Sequence, residues 1–533
     1  EAKKHPPVLE IPEAVKTISA PGWLIYTGIP TPTSHGLGLE LNAPLLIASN
    51  LKQQQEEMVE LVLQPKDASD WVNYRGEGGL NIVLAYNGSS PNFIGKVLRV
   101  RKIRKKQSEG PSASAVALSE HERLVWKDVG HLLSAPTKDV ANHAYAQFVL
   151  CPLLGSHHVD AGVRVLVTKE FLELIDNGVL LERPSWRVDN GGINTLLDSA
   201  ILMSDHSMFP PHVCLLFSHP MTIKAVPEEE VCISVEIKPK CGFLPTSRFI
   251  REENAAKRRI SRFRLHQILK FHQKKISQIS EYDPLDMFSG SKGRVVKSVK
   301  DLFLTPQNNF RVFLNGRLVF GSLGGEVDDT NTQIAEAFED TLKVFFKADD
   351  DGGMHIPEFL QLVAGAVSES GILDRLLQVQ KLDAIDIEGA IHAYYDVMSQ
   401  PCAVCKELQP LATDGFHSIP FDQSLKIVRD FLISLTAKDL SLMISFRPTP
   451  KGNSQSPLNG GTIYLESLNR SFDYKASFID LDMKPLEKMP YYYKLDQEIV
   501  SCYTRMMKTV NHPEKSESLH QDESSAIEDK SHS

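Results

Sequence analysis

The most constraining stretch of this 533-residue chain is Val231-Cys232-Ile233-Ser234-Val235-Glu236-Ile237-Lys238-Pro239-Lys240. Its opening run is apolar and largely β-branched, which predicts a buried strand. Side chains alternate along a strand, so Val235 and Ile237 are expected in a core while Glu236, Lys238 and Lys240 share the opposite face. Proline has no N–H to give a ladder, so pairing is expected to stop at Pro239 and leave both lysines at the rim of a sheet. One carboxylate and two ammonium groups then stand together at a rigid strand end. An edge strand with alternating solvated charges is the competing reading, and these residues alone do not decide between the two.

What such a rim could bind is limited by the rest of the chain. The formal charge is −9, which argues against a general nucleic-acid binder, normally basic overall. A polyanion site must therefore be a local gathering of lysine and arginine. With 42% hydrophobic and 23% charged residues the composition is globular, and the length admits two or three domains. Seven cysteines without framework spacing point to a reducing compartment, cytoplasmic or nuclear. No apolar run approaches the roughly 18 residues that span a bilayer, so no stable membrane association is expected. Nothing at the start reads as a secretory leader.

The motif E-I-K-P-K-C-G-F at 236–243 is followed in order by R-F-R-L-H-Q at 262–267, Y-D-P-L-D at 282–286 and Q-N-N-F at 307–310. Then come L-D at 382–383, D-I-E-G at 386–389, T-A-K-D at 436–439 and D-L-D-M-K-P at 480–485. This series resembles the inositol-pentakisphosphate 2-kinases, the plant-type members most of all, over residues 58 to 510. The resemblance implies a two-lobed, kinase-like α+β fold. Residues 58–205 would form an N-lobe with a mixed sheet and a glycine-rich nucleotide loop, 206–229 a hinge, and 230–510 a larger α+β C-lobe with an inserted zinc site. The implied reaction moves a phosphoryl group from ATP, with Mg²⁺, to the 2-hydroxyl of inositol 1,3,4,5,6-pentakisphosphate, giving the hexakisphosphate (phytate), in a monomer. Residues 1–57 and 511–533 are expected to be poorly ordered. The first of these precedes the resemblance and reads as an extension or gene-model artefact, with a transit peptide disfavoured by its interspersed acidic residues.

Residues 75–81, Arg-Gly-Glu-Gly-Gly-Leu-Asn, precede a strand predicted over 82–86 and a second over 94–100. Glycines there let the backbone approach a triphosphate and turn N–H groups toward it, although a plain hairpin reads the same. The resemblance makes this the nucleotide loop, with Gly78, Gly79, Leu80 and Asn81 at the nucleotide. Lys96 and Arg99 have opposite parity on the second strand and cannot both face it, and Arg99 fits the resemblance better as phosphate partner. The basic run Arg99–Lys106 lacks interleaved aromatics and reads as a strand end entering a solvated loop. Residues 145–154 and 160–167 read as strands and 169–177 as a short helix.

By resemblance Arg187 is a substrate-phosphate ligand from the first lobe, a surface ion pair being the alternative. Ser204, Asp205 and His206 are placed beside the nucleotide, with a capping role the alternative for Asp205 and His206. Glu236, Ile237, Lys238 and Arg311 join the nucleotide set, Lys238 also as a catalytic residue. Ile260, Phe263, Leu265, Ile268 and Leu269 recur at helical spacing, which predicts an amphipathic helix with a cationic face, and the resemblance assigns its Lys270 to substrate. Lys240, Asn308, Lys484, Lys488 and Tyr492 complete the substrate set. At 488 close members of the family carry arginine; lysine keeps the charge and loses a bidentate fork.

Asp439 stands at the entrance of an apolar strand, and residues 478–484 alternate so that Asp480, Asp482 and Lys484 share a face while Ile479, Leu481 and Met483 are buried. Carboxylates so placed can hold the Mg²⁺ that bridges ATP phosphates, or accept the proton of a substrate hydroxyl. The resemblance gives metal and nucleotide to Asp480 and the base role, with substrate contact, to Asp439. His392, Cys402, Cys405 and His417 follow the pattern H-x9-C-x2-C-x11-H, an N2S2 set suited to a structural zinc with no open position. Four unlinked residues or a redox pair are the alternatives, and the plant-type members' possession of this site favours zinc.

A pentakisphosphate carries about −7.5 to −10 at roughly −1.5 to −2 per phosphate. Lys240, Lys270, Lys484, Lys488 and Arg187 are about the complement it needs. Two rival readings are a non-catalytic inositol-phosphate or phosphoinositide receptor and an inositol phosphate kinase of different positional specificity. The glycine loop, Asp439 and Asp480 argue against the first.

Overall fold

The computed structural model describes residues 61–104, 118–209, 231–322, 332–346, 354–407, 419–449 and 460–511. The class is α+β, as expected. The first sheet contains β1 (Val62–Leu63), β2 (Asn73–Glu77), β3 (Asn81–Ala85), β4 (Lys96–Arg104), β5 (Val163–Val167), β6 (Gly191–Ile193) and β7 (Ser199–Ser204). Its order is β1-β5-β7-β4-β3-β2, with β6 on the far end of β4. It is mixed, since β1 runs parallel to β5 and β5 antiparallel to β7. Ile82, Leu84, Leu98 and Val100 of β3 and β4 pack with Trp71 and with Phe171, Leu172 and Ile175 of the helix Lys169–Gly178 to form one core.

Two expectations fail in this half. The strand predicted to end near Val100 runs on to Arg104, and two cations of the added part are paired, Arg101 with Asp139 at 2.5 Å and Lys102 with Glu77. Acidic neighbours from other elements, invisible in the run itself, let the charges stay in a sheet. Residues 145–154 are helical, continuing the helix Lys138–Tyr145 through a wide turn at Ala146–Leu150 into Cys151–Leu154. Ala141, Ala144, Tyr145, Leu150 and Leu154 are its buried side. That spacing begins before residue 145, so a window starting there showed only an apolar run, which a buried strand shares.

The second sheet holds β8 (Ile233–Ile237), β9 (Phe310–Leu314), β10 (Arg317–Phe320), β11 (Ser441–Pro448), β12 (Gly460–Leu465) and β13 (Arg470–Ile479), in the order β10-β9-β8-β11-β13-β12. Every pair is antiparallel. β8 is interior, and all five of its residues are buried, Val235 and Ile237 at 0% and 1% exposure. Burying each such aliphatic side chain contributes about 1.5–3 kcal/mol. The Lys238 N–H still donates to the Asn309 carbonyl at 2.9 Å, and pairing then stops at Pro239, as expected.

The register decides where the chemistry sits. Ile237 lies opposite both Phe310 and Leu442, and Ser441 opposite Ile479. The exits of β8 and β13 and the entries of β9 and β11 therefore reach one edge of the sheet together. β13 ends at Ile479, so the alternating strand expected through Lys484 does not form. Asp480 takes φ 64°, a left-handed conformation that aspartate tolerates better than most residues, and it turns the chain out of the ladder. Leu481 and Met483 still enter the core, while Ile479 is only half-buried.

Candidate active site

Three segments converge at that edge. Lys238 extends from β8 to within 3.1 Å of the Asp480 carboxylate. Lys240 lies 3.8 Å from Asp439, and Lys484 reaches the other oxygen of Asp439 at 2.6 Å. Behind them Glu236 is buried, with one oxygen accepting from the Ser441 hydroxyl at 2.8 Å and the other from Arg311 at 3.0 Å. Ser441 also approaches Asp480 at 3.3 Å. Glu236 thus orders the floor, while the Ile237 backbone is engaged in the sheet.

The charges set one another's proton affinity. Partial loss of water works against an ionised Asp480, whose side chain is 50% exposed, but Lys238, Arg99 and Arg311 outweigh it and hold its pKa down at about 2. Burial likewise opposes the Lys238 charge, and Asp480, Glu236 and Asp439 more than restore it. Partial loss of water at Asp439, whose side chain is 56% exposed, is outweighed by Lys484, Lys240 and Lys238, which lower it. Lys240 behaves differently. Burial, then repulsion from Lys238, Lys270 and Lys484, outweighs the pull of Asp439 and lowers it to about 8. Lys270, on the helix Arg262–His272, is lowered by burial and by Lys275. The Tyr492 hydroxyl is raised to about 12, by burial first and then by Asp439 and Glu487. So Lys240, Lys270, Lys484 and Tyr492 form one electrostatic neighbourhood around Asp439.

The other candidates divide. Asn308 stands exposed in the turn before β9, and Lys488 is exposed in the short turn Leu486–Lys488. Gly78, Gly79 and Leu80 join β2 to β3 as expected. Arg187 stacks on Trp186 with its guanidinium 4.1 Å from the ring and donates to the Gly78 carbonyl at 3.2 Å. Burial lowers its pKa, and Arg311 of the second sheet repels it. Arg99 contacts Asp482 at 2.6 Å, and Asn81 donates to the same carboxylate at 3.0 Å. Ser204 donates its N–H to Asp160. The Asp205 carboxylate accepts from Arg75 at 3.1 Å and from the Ser207 N–H at 2.9 Å, a local turn-closing role. His206 is kept neutral by burial and by Lys475, its pKa near 4.

Two features escaped the sequence. Asp482, read as sharing a face with Asp480, points instead to the first sheet, where Arg101 also meets it at 3.5 Å. His266 lies among Lys270, Arg262, Lys240 and Lys275, which together with its burial push its pKa to about 3. Its position one helical turn before Lys270 was the available signal.

A family profile of inositol-pentakisphosphate 2-kinase matches residues 74–498. The chain belongs to the inositol-pentakisphosphate 2-kinase family. It is 50% identical over 460 residues to an inositol-pentakisphosphate 2-kinase of Arabidopsis thaliana, covering 86% of this chain and 98% of the relative. A relative of that name from Oryza sativa subsp. japonica is 48% identical over 452 residues, 84% of this chain and 96% of its own. One from Danio rerio is 29% identical over 504 residues, 83% and 95%. Like its family, the chain is a kinase that acts on an inositol phosphate.

Elsewhere in this inositol-pentakisphosphate 2-kinase family member, His392 on the helix Asp386–Val397 points Nδ1 at the sulfurs of Cys402 and Cys405, 3.3 Å from each. His417 lies outside the described residues. A second carboxylate group, Asp386, Glu388 and Asp496, already surrounds the Lys257 ammonium, 3.1 Å from Glu388 and 2.7 Å from Asp496. Among the described residues, no helix is long and apolar enough to cross a membrane.

Proposed function

We propose that this chain transfers the γ-phosphoryl group of Mg²⁺-ATP to the 2-hydroxyl of inositol 1,3,4,5,6-pentakisphosphate, between two kinase-like lobes built on the two sheets. The observation that carries the reading is the grouping of Lys240, Lys270 and Lys484 around Asp439, beside Asp480 with its lysine partner. Repulsion among cations is what a polyphosphorylated ring relieves on binding. Asp480 would hold the Mg²⁺, which would supply charge neutralisation at the nucleotide phosphates. Asp439 accepts the hydroxyl proton, and Lys238 holds Asp480 in place. Arg187 brings a cation from the first lobe, so that a substrate lacking one phosphate would leave a buried charge unpaired. The reading is tested by incubating the protein with Mg-ATP and a panel of inositol phosphates and identifying the products by phosphorus NMR. A product phosphorylated elsewhere, or none, would refute it.

Lys240 gives the reaction a pH signature. Its ammonium form, which attracts phosphate, is lost in the free enzyme as pH rises through about 8. The kcat/KM for the inositol phosphate is therefore expected to fall above that point, and Lys240→Arg, whose charge persists, removes the alkaline limb. A Lys240→Arg profile identical to that of the unmodified enzyme would contradict this.

His392, Cys402 and Cys405 fit a structural zinc. Bonds of about 2.0 Å to nitrogen and 2.3 Å to sulfur at tetrahedral angles place ligand atoms about 3.5 Å apart, close to the 3.3 Å between Nδ1 and each sulfur. His417 is the fourth ligand in this reading. Elemental analysis of the dialysed protein is expected to give one zinc per chain, and Cys405→Ser to lose it together with several degrees of Tm.

A further inference from the structure

The strand exit bearing Lys240 and the helix end leading to Asp439 are tied together by a side chain that takes no part in the chemistry. Gln380, the last residue of the helix Ile372–Gln380, is fully buried. Its Oε1 accepts the Gly242 N–H at 2.9 Å, and its Nε2 donates to the carbonyls of Lys240 at 2.7 Å and Ala437 at 3.1 Å. Both amide protons are thus used, and the reversed amide would set an oxygen against two carbonyls, so these contacts fix its orientation. Its own carbonyl accepts the Ser434 hydroxyl.

Both segments need such a tie. Lys240 has φ 64°, a conformation that residues with a side chain keep only where the surroundings impose it. The Tyr282 hydroxyl grips the preceding carbonyl, Pro239, at 2.8 Å. At Gly242 a Cβ would stand 2.3 Å from the Phe288 ring, so the turn is pressed close to its support. Ala437 closes the helix Phe421–Ala437, whose last carbonyls have no partner within the helix, and Asp439 follows two residues later.

We propose that Gln380 is a positioning residue for phosphoryl transfer, which sets the Lys240 ammonium against the Asp439 carboxylate by bonding the backbone of both segments. This rests on the reading of Asp439 as proton acceptor. Misplacement by about 1 Å can cost about 100-fold in rate, and the tie fixes a separation of 3.8 Å.

The test compares Gln380→Met, which keeps length and bulk and loses all three side-chain bonds, with Leu376→Ala, a buried change on the same helix that touches none of them. Steady-state kinetics on inositol pentakisphosphate and Mg-ATP are measured beside thermal melting. For Gln380→Met, kcat is expected to fall about 100-fold and the KM for the inositol phosphate to rise, with the KM for Mg-ATP unchanged. Leu376→Ala lowers Tm and leaves all three constants close to those of the parent. Parent-like kinetics in Gln380→Met, or the same pattern in Leu376→Ala, would overturn the proposal. Should Gln380→Met not accumulate folded, Gln380→Glu tests the same tie, since it keeps an acceptor for the Gly242 N–H and loses both donations to the Lys240 and Ala437 carbonyls. A lowered kcat at unchanged Mg-ATP KM supports the role, and parent-like kinetics refute it. If the unmodified enzyme is inactive on the pentakisphosphate, the functional reading fails; if it is active beside an unaffected Gln380→Met, only the role of Gln380 fails.

Discussion

Asp439→Asn is expected to lower kcat by about 10² to 10⁴-fold, the usual contribution of a positioned proton acceptor, without raising the KM for the inositol phosphate. Asparagine matches the shape of the carboxylate and cannot take up the proton. It also leaves Lys240 and Lys484 without their counter-ion, 3.8 Å and 2.6 Å away in the native site. Two freed cations favour an anionic ring, so the substrate should bind as well as before or more tightly. A fall in kcat at constant or lower KM separates loss of the base from loss of binding. Because Lys484, Lys240 and Lys238 hold the native carboxyl below its usual range, Asp439 stays ionised where an ordinary aspartate begins to protonate. The acid side of the native pH–rate profile should accordingly show no limb from this residue at or above the pH where an ordinary carboxylate titrates. Calorimetric titration and steady-state kinetics on the two proteins test both statements, and a raised KM with unchanged kcat would remove Asp439 from the chemistry.

Asp480→Ala should be as severe by a different route, with turnover reduced by about 10³-fold or more and inositol phosphate binding kept. Its carboxylate has a pKa of about 2, so it presents full charge to a magnesium ion throughout the working range. The same charge holds Lys238 at 3.1 Å. Removing it takes away the proposed metal ligand and frees the half-buried Lys238, while Asp439, Lys240 and Lys484 keep their own contacts. Added Mg²⁺ should fail to restore the rate. Persistence of full ATP-dependent conversion in Asp480→Ala would refute the metal assignment.

The sequence disclosed the charged groups that the fold brings together better than their supports. Lys238, Lys240, Asp439, Asp480 and Lys484 stand in motifs at the ends of strongly apolar strands, where alternation and a proline announce the rim of a sheet. Their partners come from far away in the chain and carry no local pattern. Nothing near Gln380 says that it meets Lys240, 140 residues earlier. Asp482 looked like a third member of an acidic face because a regular strand was assumed. The left-handed Asp480 breaks that strand and sends the two carboxylates to different neighbours. The strand end was set too early, at Val100, for the same reason, since Asp139 and Asp482 neutralise Arg101 only after folding. Residues 145–154 were misread through their period, a purely local error.

The bridge from Asp482 to Arg99, Arg101 and Asn81 ties the exit of β13 to strands of the other sheet. Its side chains are only partly covered, so dissolved ions can screen it. Added salt is therefore expected to loosen this tie between the two sheets while leaving their hydrogen-bonded ladders intact.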